Sequence, residues 1–174
     1  MNFIIRPSRD DDVVTLASFY IDSVRTETAS WEYDPPDVAE FTRRRAEVLA
    51  RGYPYFTAEL DGAPVGYAYA SAYRARIGYR FVVEDSIYVD PAFKGRGIGG
   101  KLLMTLIDEC TRLGYRQMVA VIGDSENQAS LRLHEACGFT RAALFRGIGY
   151  KFGRWLDSVQ MQRALGAGSA APPD

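Results

Sequence analysis

The sequence predicts an α/β fold in a single domain, with about seven strands and about four helices. Three observations carry this reading. Strand-type and helix-type patterns alternate along the chain; a strand runs through a glycine-rich turn into a helix between Glu84 and Leu113; and the 174 residues are 47% hydrophobic. That length and content suffice for one full core and leave little room for a second. The domain is expected to occupy residues 1–165.

Each element has its own signal. Phe3 to Arg6 is a short strand, and Asp10 to about Val24 reads as a helix because Val13, Leu16, Ala17, Phe19 and Tyr20 mark an apolar face. Asp37-Val38-Ala39-Glu40 after Pro35-Pro36 is a capping box, opening a helix to about Arg51 that Gly52 closes. Arg43-Arg44-Arg45 on this helix point in different directions and are expected to form a solvated face. Tyr55 to Leu60 and Val65 to Ala72 are strands, joined by the hairpin turn signal Asp61-Gly62. Phe81 to Val89 is the central strand, Ile98 to Leu113 the helix after the glycines, and Tyr115 to Ile122 the next strand. Asn127 caps a further helix that Gly138 ends, and Phe139 to about Gly147 and Arg154 to Met161 are the last strands. From Gly166 the chain is small, polar and Pro-ended, so residues 166–174 are expected to be disordered.

Charge and composition exclude several classes. A net charge of -1, with basic residues interspersed with acids except around the glycine-rich turn and in the run Arg43-Arg44-Arg45, argues against a nucleic-acid surface. There is no apolar run long enough for a membrane span and no N-terminal signal pattern, so a cytoplasmic protein is expected. Cys110 and Cys137 fall inside helical patterns and read as reduced, buried thiols. His134 is the only histidine, which excludes a multi-histidine metal site, and no metal is expected.

The turn itself is built for phosphate. Gly95, Gly97, Gly99 and Gly100 remove side chains that would keep a phosphate from the backbone N–H groups, and the helix behind them aims its positive end at the same place. Lys94, Arg96 and Lys101 add charge, so the ligand carries several negative charges. A P-loop is rejected because Leu102 stands where Ser or Thr must hold Mg²⁺. A dinucleotide fingerprint fits literally as Gly95-x-Gly97-x-x-Gly100, with Asp124 near the ribose position. It is a weak match, because about half the chain precedes it and repeated βαβ units do not follow.

A third reading joins two separate segments. Lys94-x-x-Gly97-x-Gly99 resembles the Arg/Gln-x-x-Gly-x-Gly/Ala pyrophosphate loop of the GCN5-related N-acetyltransferase superfamily, with Lys in place of Arg or Gln. Asn127-Gln128-Ala129-Ser130-Leu131-Arg132-Leu133-His134 with Gly138-Phe139 resembles the second signature of that superfamily, with His134 in a Tyr position. The resemblance implies a mixed, mostly antiparallel sheet splayed at its central pair, and acetyl-CoA as cosubstrate. Ile87, Tyr88 and Val89 would pair with its pantetheine arm, Lys94, Gly95, Arg96, Gly97, Ile98, Gly99 and Gly100 would hold the pyrophosphate, and Asn127 and Ser130 would add contacts. Within the superfamily, Ser30-Trp31-Glu32, Tyr73-Arg74-Ala75-Arg76, Val83-Glu84-Asp85-Ser86-Ile87-Tyr88-Val89 and Lys151-Phe152-Gly153-Arg154-Trp155 are similar to the phosphinothricin and methionine sulfoximine acetyltransferases. That subfamily acetylates the α-amine of small glutamate-like compounds, usually as a homodimer.

The chemistry implied needs a base, because an amine near pKa 8 to 10 is mostly protonated at neutral pH. Glu84 follows Phe81-Val82-Val83 on an apolar strand, where burial would raise its pKa toward a useful range. Strand alternation sends Asp85 to the opposite face, where a structural role is expected. His134 either protonates the departing thiolate, as the superfamily's Tyr often does, or bridges helix and loop by hydrogen bonds. For an anionic amino-acid-like substrate, Trp31, Tyr33, Tyr73, Arg74, Arg76, Tyr79 and Arg80 supply aromatic walls and Arg forks. Alternatives are an acetyltransferase acting on a protein N-terminus, polyamine or aminoglycoside, and a non-catalytic acyl-coenzyme A- or nucleotide-binding module.

Overall fold

In the computed structural model, which describes residues 2–173, the elements follow the expected order. They are β1 (Phe3–Pro7), α1 (Val13–Thr26), α2 (Val38–Ala50), β2 (Tyr55–Leu60), β3 (Ala63–Ala72), β4 (Val82–Val89), α3 (Ile98–Arg112), β5 (Gln117–Gly123), α4 (Gln128–Ala136), β6 (Thr140–Lys151) and β7 (Arg154–Ala164). The strands form one seven-stranded sheet in the order β1-β2-β3-β4-β5-β7-β6. All neighbours pair antiparallel except β4 and β5. Asp61 and Gly62 close the β2–β3 hairpin with φ of 49° and 88°, the two positive values that a tight hairpin turn demands.

Helices cover the sheet from both sides. Leu102, Leu103 and Leu106 of α3 are fully buried against Val83, Met118 and Met161, and each such leucine contributes about 1.5–3 kcal/mol of transfer free energy. On the other face Leu16, Phe19 and Phe41 of α1 and α2 pack on Tyr55 and Tyr67. Tyr55, Tyr67, Tyr69 and Tyr88 continue this layer as a run of stacked rings along β2, β3 and β4.

Several local expectations change. Arg45 is buried rather than solvated: its guanidinium donates to Ser8 Oγ, the Ser8 carbonyl and Asp10, and lies 5.8 Å from the Tyr55 ring centroid. Asp37 caps α2 by accepting from the Glu40 N–H at 2.8 Å, but the Glu40 carboxylate turns to Arg43 and Arg44 and does not complete the capping box. Strand β6 runs past Gly147 to Lys151, because the register slips between Phe145 and Gly149 and pairing then resumes at Gly149 with Leu156. After β7 the described residues continue in turns. Leu165 is buried, Gly168 N–H donates to its carbonyl, and Arg116 donates to the Pro172 carbonyl.

Candidate active site

The parallel ladder between β4 and β5 holds only Val82, Val83 and Glu84 against Gln117, Met118 and Val119. Beyond Glu84, β4 keeps its pairing with β3 as far as Val89, so its opposite edge from Asp85 onward faces a gap. A sheet edge with free N–H and C=O groups is a template for an extended ligand. The gap opens into a cleft of about 1000 Å³ bounded by β4, the glycine turn, β5, the start of α4 and the segment after α1.

The glycine turn closes one end. Gly95 and Gly97 have φ of 78° and 77°, a backbone conformation that disfavours side chains, and a Cβ at either would meet nothing within 4 Å. The space over the turn is therefore open to a ligand, and Ile98, Gly99 and Gly100, in the first turn of α3 where N–H groups lack intrahelical partners, line it. Lys94 stands beside it, paired with Glu27. These features fit the diphosphate of a coenzyme A thioester, and the free β4 edge fits its amide arm. Of the expected cofactor residues, Ile87, Tyr88, Val89, Lys94, Gly95, Gly97, Ile98, Gly99, Gly100, Asn127 and Ser130 line the cleft. Arg96 is not among its lining, and its guanidinium lies over the Phe93 ring at 5.0 Å.

Glu84 and Asp85 sit where the two strands part, and alternation sends their carboxyls to opposite faces. Burial pushes the Glu84 carboxyl up to about 7, with a further contribution from the charge of Asp85. On the other face Asp85 meets His134, 3.0 Å from Oδ2 to Nε2, and His134 Nδ1 lies 2.7 Å from the Ser130 carbonyl. Burial works against the His134 charge, but the Asp85 hydrogen bond and charge and the Ser130 carbonyl outweigh it and leave the ring above its usual 6.5. Both ring nitrogens are thus engaged, one by a carbonyl of the preceding turn of α4 and the other by a carboxyl of β4.

The segment from Glu27 to Ser30 roofs the cleft and is fastened by a residue from the far end of the chain. Buried Lys151 donates to the Glu27 carbonyl at 2.9 Å and the Ser30 carbonyl at 2.6 Å, and its burial lowers the ammonium pKa. Trp31 seats beside this segment over two glycines: a Cβ on Gly123 would come 2.4 Å from Trp31 Nε1, and one on Gly149 would come 2.7 Å from its ring. Arg154 lines the cleft and pairs with buried Asp124. Asp85 joins the site without being among the residues that the sequence places there, and Lys151 and Arg154 join it from the last hairpin, from where their sequence lets them contribute. Of these, Lys151 and Arg154 have a signal in their motif, whereas Asp85 shows its role only through contact with α4.

The residues expected to hold substrate lie outside this cleft. Tyr33 donates to the Tyr150 carbonyl, and Tyr73 donates to Gln160 at 3.2 Å while meeting Tyr79 edge-on. The Arg74 guanidinium covers both of those rings, at 5.2 and 5.6 Å from their centroids. Arg76 precedes the short helical turn Ile77–Tyr79 and is exposed. Arg80 stacks on Phe81 at 4.4 Å, beside a separate hollow lined by Tyr115 and Leu165. Among the described residues no group of three His, Cys, Asp or Glu side chains is placed to hold a metal ion.

A splayed central strand pair with a glycine turn at its mouth and a raised carboxyl at its apex defines an acyl-transfer scaffold. Residues 16–139 match the model of the acetyltransferase (GNAT) family, and the chain belongs to that family. It is 50% identical over 170 residues to the phosphinothricin N-acetyltransferase of Alcaligenes faecalis, covering 98% of this chain and 86% of that one. It is 42% identical to the L-methionine sulfoximine/L-methionine sulfone acetyltransferase of Salmonella typhimurium, covering 92% of this chain and 94% of the relative. A crystal structure of a GNAT superfamily phosphinothricin acetyltransferase from Sinorhizobium meliloti in complex with AcCoA superposes with a TM-score of 0.96 at 44% identity, covering 100% of this chain and 94% of that one.

Proposed function

We propose that this N-acetyltransferase moves the acetyl group of acetyl-CoA to the α-amine of a small amino-acid-like substrate of the phosphinothricin or methionine sulfoximine type, with Glu84 as general base. The observation that carries the reading is the end of the β4–β5 ladder at Glu84, whose carboxyl is pushed to about 7. A carboxyl in that range is half ionised at neutral pH and so can take a proton from an attacking ammonium, directly or through a water. Acetyl-CoA supplies the activated acyl group. The chain's part is to hold the diphosphate on the turn at Gly95 to Gly100, to lay the arm along the free edge of β4, and to keep Glu84 desolvated.

The amine is read as entering from the flank of β7. Tyr73 is bonded to Gln160, whose sheet partner Val121 lines the cleft, and this supports a substrate grip built from Tyr73, Arg74, Arg76 and Tyr79 with Trp31, Tyr33 and Arg80 around it. Exposed Ile148, Tyr150, Phe152 and Trp155 form an apolar face on the β6–β7 edge, and we read it as the homodimer contact. The two free, buried cysteines fit a reducing cytoplasm. Acetylation removes the charge of the amine, which is how such an enzyme would detoxify an amino-acid-like inhibitor.

The test is thiol release from acetyl-CoA with phosphinothricin, methionine sulfoximine, common amino acids, a polyamine and an N-terminal peptide. Turnover confined to the first two or to amino acids supports the reading. Preference for the polyamine or peptide overturns the substrate class, and coenzyme binding without turnover on any amine overturns catalysis. Sedimentation of the wild type and of Trp155→Asp tests the dimer, with a monomer expected for the variant.

A further inference from the structure

We propose that Asp85 is a positioning residue that holds His134 as an imidazolium beside the reacting end of the cleft, so that the leaving sulfur meets a fixed positive charge. The inference rests on the acetyl-transfer reading above and adds to it a residue whose side chain lies on the other face of β4 from the base.

The argument is one of donors and acceptors. The Ser130 carbonyl can only accept, so the 2.7 Å contact places a proton on His134 Nδ1. Nε2 then faces Asp85 Oδ2 at 3.0 Å, between side chains only 6% and 3% exposed. The other oxygen, Asp85 Oδ1, is buried without a hydrogen-bond partner among the described residues. His134 is therefore the donor within reach of this carboxylate, and a bare Nε2 would leave a buried charge uncompensated. A proton between Nε2 and Oδ2 resolves the conflict, and it is assigned to the ring because an imidazole is the stronger base of the two.

The groups packed around the pair do not compete for that role. Burial keeps the α3 thiol of Cys110 neutral, its pKa pushed to about 12, and also raises Cys137 beyond α4. Phe139 meets the His134 ring edge-on at 5.1 Å, and the Arg163 guanidinium is taken by the Cys137 carbonyl. Glu84 lies across the strand and feels the Asp85 charge through it.

Both Asp85 and His134 line the cleft, and Asp85 follows Glu84 at the point where β4 and β5 part, so the proposal sets the pair near the reacting end. In the transfer step the amine nitrogen bonds to the acetyl carbon and its proton passes to Glu84. The carbon–sulfur bond breaks and the sulfur leaves with the electron pair as a thiolate. His134 keeps both protons and stabilises that charge by position, and the thiolate takes its proton from water on release. The charged pair carries no net charge, so the effect proposed is that of its imidazolium end facing the sulfur, a dipole that a neutral pair of Asp85 and His134 would present far more weakly.

His134 is the single histidine of the chain, so its ring-nitrogen NMR signals are unambiguous. In the coenzyme-free wild type both nitrogens should be protonated at neutral pH, and in Asp85→Asn the titration should fall by about one pH unit or more. A wild-type ring already neutral at pH 7, or a variant that titrates with the wild type, overturns the proposal. The wild-type spectrum decides alone if the variant does not fold. The second arm follows thiolate absorbance of coenzyme A bound to each protein. The thiol should be more acidic on the wild type than in solution and lose most of that gain on Asp85→Asn, while equal acidity on both proteins overturns the role assigned to the sulfur. Failure of coenzyme A to bind overturns the acetyl-transfer reading and that role together, while the ring-nitrogen signals still decide the protonation of the pair.

Discussion

Replacing Glu84 by Gln separates the catalytic and the stability roles of one carboxyl. Its folded pKa is raised from 4.5 to about 7, chiefly by burial. If Glu84 is the base proposed above, its ionised form is the active one, so kcat/KM of the wild type should rise about tenfold per pH unit below 7 and level off above about 8. Glu84→Gln should lose about 10²- to 10⁴-fold in rate and lose this limb altogether, with coenzyme binding retained. For folding the sign is opposite. A carboxyl with a raised folded pKa prefers its proton in the folded protein, so its ionisation costs nothing below 4.5, costs progressively more up to about 7, and stays constant above. The full shift corresponds to on the order of 3 kcal/mol, which water in the open cleft reduces to about 1–3 kcal/mol. The variant should therefore melt higher than the wild type at about pH 8 and match it at about pH 4. Thiol-release kinetics across pH and thermal unfolding at those two values are the assays. A wild-type profile flat between about pH 5.5 and 8, or a variant within tenfold of wild-type activity, would refute the assignment of Glu84 as base.

Three further outcomes follow from the packing. Gly123→Ala places a methyl 2.3 Å from the Thr28 carbonyl and 2.4 Å from Trp31 Nε1, so the roof segment must shift; calorimetry should record a loss of about 1–3 kcal/mol, whereas an unchanged melting point contradicts the close seating. Tyr67→Phe removes a hydroxyl that is buried without a partner among the described residues, so chemical denaturation should find it neutral or stabilising by up to about 1 kcal/mol. Asp12 is held down to about 2, against burial, by hydrogen bonds from Arg6, the Arg9 backbone and Thr57; the roughly 2 kcal/mol it contributes is present above 3.8 and lost as pH falls toward 2, so Asp12→Asn should flatten acid unfolding in that window.

The alternation of elements, the glycine turn and the place of Glu84 are legible because each is a local matter. Period and capping decide helix or strand within a few residues, and a phosphate turn needs glycines and a following helix in one continuous stretch. Local signals mislead where they meet a distant partner. Arg45 belongs to a charged run that reads as solvent-facing, yet Ser8 and Asp10 from the chain start bury it. Gly147 reads as the end of a strand, but β7 carries the pairing past it.

The candidate site divides in the same way. Residues of the turn other than Arg96 line the cleft together with Ile87, Tyr88 and Val89 of β4, while the aromatic and Arg residues between Trp31 and Arg80 are not among its lining. Sequence by itself determined the fold class, the glycine turn before a helix and the position of Glu84 on an apolar strand, since these depend on neighbours along the chain. Tertiary structure alone decided that Asp85 meets His134 across 49 positions, that Lys151 fastens the roof, and that the β4–β5 ladder stops at Glu84. Those contacts depend on how strands and helices are stacked, and one-dimensional spacing does not encode the distance between side chains on different elements.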